Sequence, residues 1–138
     1  MGEPGNDGSS YLQKCKSMAS SNVYFWGQEK NPEIIKQLYR HATLTVIPSV
    51  SEMVPLVAFE SLSQRTPVVC TNRCGIADDY IPGLVFSNID KNSLIKSITR
   101  ACEIERGIIT DKGVYSWAII AGMYKHVYEK VLENSIKE

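Results

Sequence analysis

Short, unbroken apolar runs alternate along this chain with longer amphipathic stretches, and that alternation restricts the fold more than any other feature. Val23-Tyr24-Phe25-Trp26 stops at Gly27, and Leu44-Thr45-Val46-Ile47 stops at Pro48. Pro67-Val68-Val69-Cys70 follows, and Leu84-Val85-Phe86 is introduced by Pro82-Gly83. Runs of this length without polar alternation suit strands buried on both faces, as in a parallel sheet. Between them lie helical patterns. Asn31-Pro32-Glu33 opens one, with Asn31 as cap, Pro32 at the first helical position, and Ile34, Ile35, Leu38 and Tyr39 on one face. A second runs from about Pro55 to Gln64. A third, capped by Asn88 or Asp90, carries Leu94, Ile95, Ile98 and Cys102. The last carries Trp117, Ile120, Ala121, Tyr124, Val127, Tyr128, Val131 and Leu132, a stripe that reads as core or interdomain packing. Strand–helix–strand order predicts an α/β fold, a Rossmann-like doubly wound parallel sheet with helices on both faces. There is no internal repeat and no linker, so the chain reads as one domain or part of one.

Charge narrows the partners. Fifteen basic and fifteen acidic side chains cancel, which argues against a nucleic-acid footprint, and there is no polybasic run suited to an anionic membrane. The first ten residues are Gly- and Ser-rich without an apolar stretch, and no window is long enough to span a bilayer. The expected location is cytoplasmic, with contact at the inner face of the membrane left to another part of the protein. Cys15, Cys70, Cys74 and Cys102 fit no zinc spacing and read as reduced thiols, Cys70 at a strand end and Cys102 on an apolar helix face. Asp78-Asp79 lacks a third metal ligand, so no metal is expected.

In parallel sheets, ligands bind beyond the C-terminal strand ends, which directs attention to residues 27–30, 48–54 and 71–76. The segment from Pro48 to Glu60 leaves a strand, passes through a polar loop containing Glu52, and enters a helix. Glu60 lies roughly 7 Å along the axis from that helix's start. The helix N-terminus offers unpaired N–H groups and partial positive charge, where a diphosphate is favourable. Two carboxylates beside an anion make sense if they accept hydrogen bonds from hydroxyls on either side of it, sugar on one and ribose on the other. The bland alternatives are a helix-capping Glu and a solvated one.

The Glu52-to-Glu60 segment resembles the Glu-x7-Glu motif of family-4 glycosyltransferases. Other segments resemble the same family in the same order: Val23-Tyr24-Phe25-Trp26-Gly27, Tyr39-Arg40-His41-Ala42, Thr66-Pro67-Val68-Val69, Gly75-Ile76-Ala77-Asp78, Gly83-Leu84-Val85-Phe86, and Ser116-Trp117 with Tyr128. The resemblance covers nearly the whole chain. It implies the donor-binding C-terminal domain of a two-domain, GT-B retaining glycosyltransferase, needing no cofactor and taking a nucleotide-diphosphate sugar as donor. The acceptor it implies is a hydroxyl of a glycan or lipid-linked glycan. By position it assigns Glu52 to the transferred sugar near the reacting centre, where it orients the sugar while the departing diphosphate assists attack on the same face. The backbone of Met53, Val54 and Leu56 approaches sugar and phosphate, Glu60 binds the ribose hydroxyls, Gly27 and Gln28 lie where the base rests, and Gly75 lies in a loop near the sugar.

Departures from the family pattern are Pro55 at a position often held by Gly, Thr66 for the usual Gly before Pro, and Asp78 for the usual Glu. Met1-Gly2-Glu3-Pro4-Gly5 resembles the Gly-rich turn after the domain's second strand. On that basis the first strands, the Arg and Lys that bind the diphosphate, and the acceptor domain are expected to be missing from the chain or supplied by another. The rival reading is a non-catalytic nucleotide-sugar-binding module or degenerate remnant. Arg73 and Arg65 are weighed as substitute cations, and His41 as a cap for the helix it ends. His126 reads as a surface residue.

Overall fold

The computed structural model describes residues 8–76, 81–109 and 117–135. The Asp78-Asp79 pair, the residues resembling a Gly-rich turn before Asn6, and Ser116 lie outside these ranges. The chain divides between Leu38 and Tyr39 into two compact units.

The first unit contains α1 (Gly8–Met18), the segment 19–31, and α2 (Pro32–His41) as far as Leu38. The sequence pattern does not announce α1, whose apolar positions are few. Val23-Tyr24-Phe25-Trp26 is not the strand its composition predicts: the segment is irregular, with Tyr24 and Trp26 exposed. A β-rich run becomes a strand only through pairing with a neighbour, and local acceptors turn the backbone here instead. The Val23 amide donates to the Ser20 carbonyl at 3.0 Å. The Glu29 carboxylate accepts from the amides of Asn31 (2.8 Å) and Lys30 (2.9 Å). The Asn31 amide holds that carboxyl below its ordinary pKa. Asn31 caps α2 as expected, its Oδ1 accepting from the Glu33 amide at 3.0 Å.

The second unit holds a parallel sheet of β1 (Thr45–Ile47), β2 (Val68–Thr71) and β3 (Leu84–Ser87), in that order. Thr45 pairs with Val68, and Val68 with Leu84. Side chains alternate across a strand, and the two faces are covered by different helices. Val68 and Cys70, with Leu84 and Phe86, pack with Ala58 and Leu62 of α3 (Leu56–Ser63). Val69 and Val85 pack with Leu94, Ile98 and Ala101 of α4 (Lys91–Cys102). The predicted α/β fold with a parallel sheet and helices on both faces is what this unit displays. β2 is central and all four of its residues are buried, which is why its run has no polar alternation.

Helix ends explain the turns. Asp90 caps α4, its carboxylate accepting from the Ser93 amide at 2.8 Å. The face of α4 toward the sheet is Leu94, Ile98 and Ala101. Ile95 and Cys102 are exposed, so Cys102 is not on the apolar face predicted for it. Three-residue and four-residue spacing admits neighbouring stripes, and packing selects one.

At the end of α3, the Arg65 amide donates to Leu62 (2.8 Å) and the Thr66 amide to Ser61 (3.1 Å). These are the paired bonds of a Schellman stop, which puts the next residue in the left-handed region. That residue is Arg65, at φ 58°. The glycine-like requirement therefore falls on Arg65, one residue before the departure read at Thr66. Thr66 is fully buried and donates to the Tyr39 carbonyl at 2.6 Å.

Helix α5 (Trp117–Ser135) forms as predicted, but its stripe is not core. Trp117, Tyr124, Val127, Tyr128, Val131 and Leu132 are all exposed. No helix among the described residues is long and apolar enough to cross a membrane.

Candidate functional site

Two loops leave the C-terminal ends of β1 and β2 and are joined to each other. Glu52 and Cys74 form an isolated parallel bridge. The Glu52 amide donates to the Arg73 carbonyl (3.2 Å), and the Gly75 amide donates to the Glu52 carbonyl (3.0 Å). The Thr71 hydroxyl adds a bond to the Ser49 carbonyl. The bridge carries the order of the sheet past the strands, so Glu52 stands on a tethered backbone. Its side chain is exposed.

The closeness of the two loops sets the residue at position 75. A β-carbon on Gly75 would fall 2.3 Å from the Met53 carbonyl oxygen, a contact that the backbone must move to relieve. Glycine here permits close backbone approach rather than an unusual φ. Met53, Val54 and Leu56 are exposed along the same segment.

The chain then enters α3 at Pro55, which is buried and stands at the N-cap (φ −74°, ψ 98°) without a side-chain cap bond. The helix expected from about Pro55 thus begins at Leu56. The Pro55 carbonyl accepts from the Ala58 amide at 2.9 Å. Leu56 and Val57 head the helix, where N–H groups lack intrahelical acceptors. Glu60 lies one turn further in and is exposed.

Glu60 has a partner that sequence reasoning did not assign. The Tyr39 hydroxyl donates to Glu60 Oε2 at 3.0 Å. Partial burial, and then the Glu60 carboxylate, push the Tyr39 phenol up to about 12. Tyr39 is legible as an apolar-face residue of α2 and as part of a family-like segment, but its bond to Glu60 is not, because a pairing across 21 positions leaves no local signal. Arg106 was equally silent: its guanidinium donates to the Arg40 carbonyl at 2.7 Å and to the Ala42 carbonyl. It thereby satisfies the helix-end carbonyls that the sequence offered to His41.

Within the second unit the structure brings together Glu52, Met53 and Gly75, with Val54, Leu56 and Glu60 following along one continuous segment. Arg73 is exposed in the loop beyond β2, and its carbonyl holds the Glu52 amide. Gly27 and Gln28 belong to the first unit, where both are exposed and Gly27 adopts φ 83°. Cys70, buried in the sheet, has its thiol pushed up to about 12 by burial first and by Cys74 second, which suits packing rather than nucleophilic chemistry. No group of three or more His, Cys, Asp or Glu side chains among the described residues is arranged to hold a metal ion.

A parallel sheet with bridged loops at its C-terminal edge, one running into a helix with a carboxylate on each side of its start, defines an α/β protein of the Rossmann-like class. The chain belongs to the glycosyl transferases group 1 family, whose model matches residues 2–103. It is similar to a D-inositol 3-phosphate glycosyltransferase of Acidothermus cellulolyticus, 26% identical over 130 residues, covering 85% of this chain and 29% of that protein. A protein of the same name from Corynebacterium kroppenstedtii is 29% identical over 111 residues, covering 73% of this chain and 25% of that protein. The chain thus spans between a quarter and a third of the length of these curated relatives.

Proposed function

We propose that this chain supplies the donor-binding part of a retaining glycosyltransferase that moves a sugar from a nucleotide diphosphate to a hydroxyl acceptor. The observation that carries the reading is the tethered segment from Glu52 to Glu60. It leads from the end of β1, across the bridge to Cys74, into the N-terminus of α3. A diphosphate at that N-terminus gains from the amides of Leu56 and Val57 and from the helix dipole. Glu52 accepts hydrogen bonds from the sugar on the loop side, and Glu60 accepts from the ribose one turn along the helix. Met53 and Val54 contribute backbone between them, and Gly75 keeps the second loop low enough for the sugar to approach.

Glu52 orients the sugar in this scheme and does not act as a base. The diphosphate leaves from the face on which the acceptor attacks, so configuration is retained. Neither a metal nor a cofactor has a part. Acceptor recognition falls to sequence beyond this segment, and D-inositol 3-phosphate, from the relatives' names, is the first candidate to assay alongside lipid-linked glycans. A cytoplasmic location accords with an activated nucleotide sugar as donor.

Thermal shift of the full chain against UDP-, GDP- and ADP-sugars, with Glu60→Ala as control, tests the reading. A shift with one base that the control loses is the expected result. A folded chain that shifts with none of them would refute donor binding by this chain.

A further inference from the structure

Glu60 is exposed on α3, and an exposed glutamate ordinarily samples several rotamers. Here it is held. The Tyr39 hydroxyl donates to Oε2 at 3.0 Å, and Tyr39 is itself braced. Its carbonyl accepts from the hydroxyl of Thr66, a fully buried residue, at 2.6 Å. Just after it, the carbonyls of Arg40 and Ala42 accept from Arg106. Thr66 is the third residue past the end of α3, so the brace runs from there to Tyr39 and back to a carboxylate on α3. The path closes on the element it started from, which fixes the phenol relative to Glu60.

We infer that Tyr39 is a positioning residue for ribose recognition, aiming the Glu60 carboxylate so that its remaining lone pairs meet a ribose diol. This deepens the donor-site reading and rests on it. A carboxylate has about four acceptor sites. Tyr39 occupies one and leaves enough for two neighbouring hydroxyls. The phenol adds no charge, so the anion at the helix start is not further repelled. Its second effect is to spare the ligand the entropy of ordering a free glutamate. The phenol's raised ionisation keeps it a donor throughout the neutral range.

The Tyr39→Phe variant removes one oxygen and keeps the ring. The test titrates the full chain with UDP, GDP and ADP, and with the 2′,3′-dideoxy form of whichever binds, in wild type, Tyr39→Phe and Glu60→Ala. Wild type is expected to favour the ribonucleotide. Glu60→Ala abolishes that preference. Tyr39→Phe reduces it by about tenfold, the lower end of what a hydrogen bond to a charged group can supply, with the dideoxy affinity unchanged. If Glu60→Ala loses the preference and Tyr39→Phe keeps it whole, the positioning role fails and the ribose assignment stands. If Glu60→Ala keeps the preference, the ribose assignment fails and the positioning role with it. Equal weakening of both nucleotides by Tyr39→Phe reduces the tyrosine to a packing residue. Absence of nucleotide binding by the wild type overturns both. A readout independent of binding is the ultraviolet titration of the phenols: in Glu60→Ala, the Tyr39 ionisation should fall part of the way from about 12 toward its ordinary value. An unmoved ionisation overturns the Tyr39–Glu60 contact itself.

Discussion

At the scale of single residues, two positions carry backbone demands. Gly75 is set by space, because the Met53 carbonyl lies where a β-carbon would go. Arg65 is set by conformation, because the α3 stop requires a left-handed residue and the chain supplies an arginine at φ 58°. An L-residue with a β-carbon is strained there by about 1–2 kcal/mol, partly offset in glycine by a more flexible unfolded chain. Arg65→Gly is therefore expected to stabilise the protein by up to about 1 kcal/mol and raise the melting temperature by a few degrees. Urea and thermal unfolding check this, and a loss of stability on substitution would contradict the strain assignment. Neither demand announces itself in the sequence. Arg65 stands among polar residues after a helix, and Gly75 looks like any loop glycine.

At the scale of elements, the helix starts were the most legible features, because caps are local. Asn31 with Pro32, and Asp90, cap α2 and α4 as their residue types predict. The Asp90 carboxyl is held below its ordinary pKa, first by its bond to Ser93. A carboxyl depressed in the folded state adds stability above its unfolded value, near 3.9, and loses it as pH falls through the folded value. Wild type should therefore melt higher than Asp90→Ala near neutral pH, with the gap closing below about pH 4. Thermal melts across pH 2.5–7 check the sign; a gap that widens in acid would contradict it. Helix ends were less legible than starts. The carbonyls at the end of α2 are met by Arg106, from far along the chain, and not by the adjacent His41.

At the scale of the whole molecule, the three-stranded sheet of the second unit has its central strand buried, and among the described residues each outer strand pairs on one side. Val46 on β1, the stripe of α5, and Ile34 and Leu38 of α2 are exposed. Open strand edges and large apolar patches favour association. The isolated chain is expected to self-associate as its concentration rises, with a broad thermal transition. Light scattering and calorimetry check this. A concentration-independent monomer melting cooperatively, with about 0.7 kcal/mol of unfolding heat per residue, would refute it.

The sequence by itself determined the α/β class, the three paired strands, four helices, the Asn31 cap and the α4 cap to within Asn88 or Asp90, because hydrophobic period and cap chemistry act within a few residues. Its resemblance to family-4 glycosyltransferases agrees with the family match. The tertiary structure decided what requires distant partners. Val23 to Trp26 has strand composition but no ladder. Cys102 and the named residues of the α5 stripe other than Ile120 and Ala121 have helical spacing but stand exposed. Glu52 gained its tether from Arg73 and Gly75, and Glu60 its donor from Tyr39. A periodic pattern states which face of an element is apolar, whereas only the assembled fold decides what that face meets.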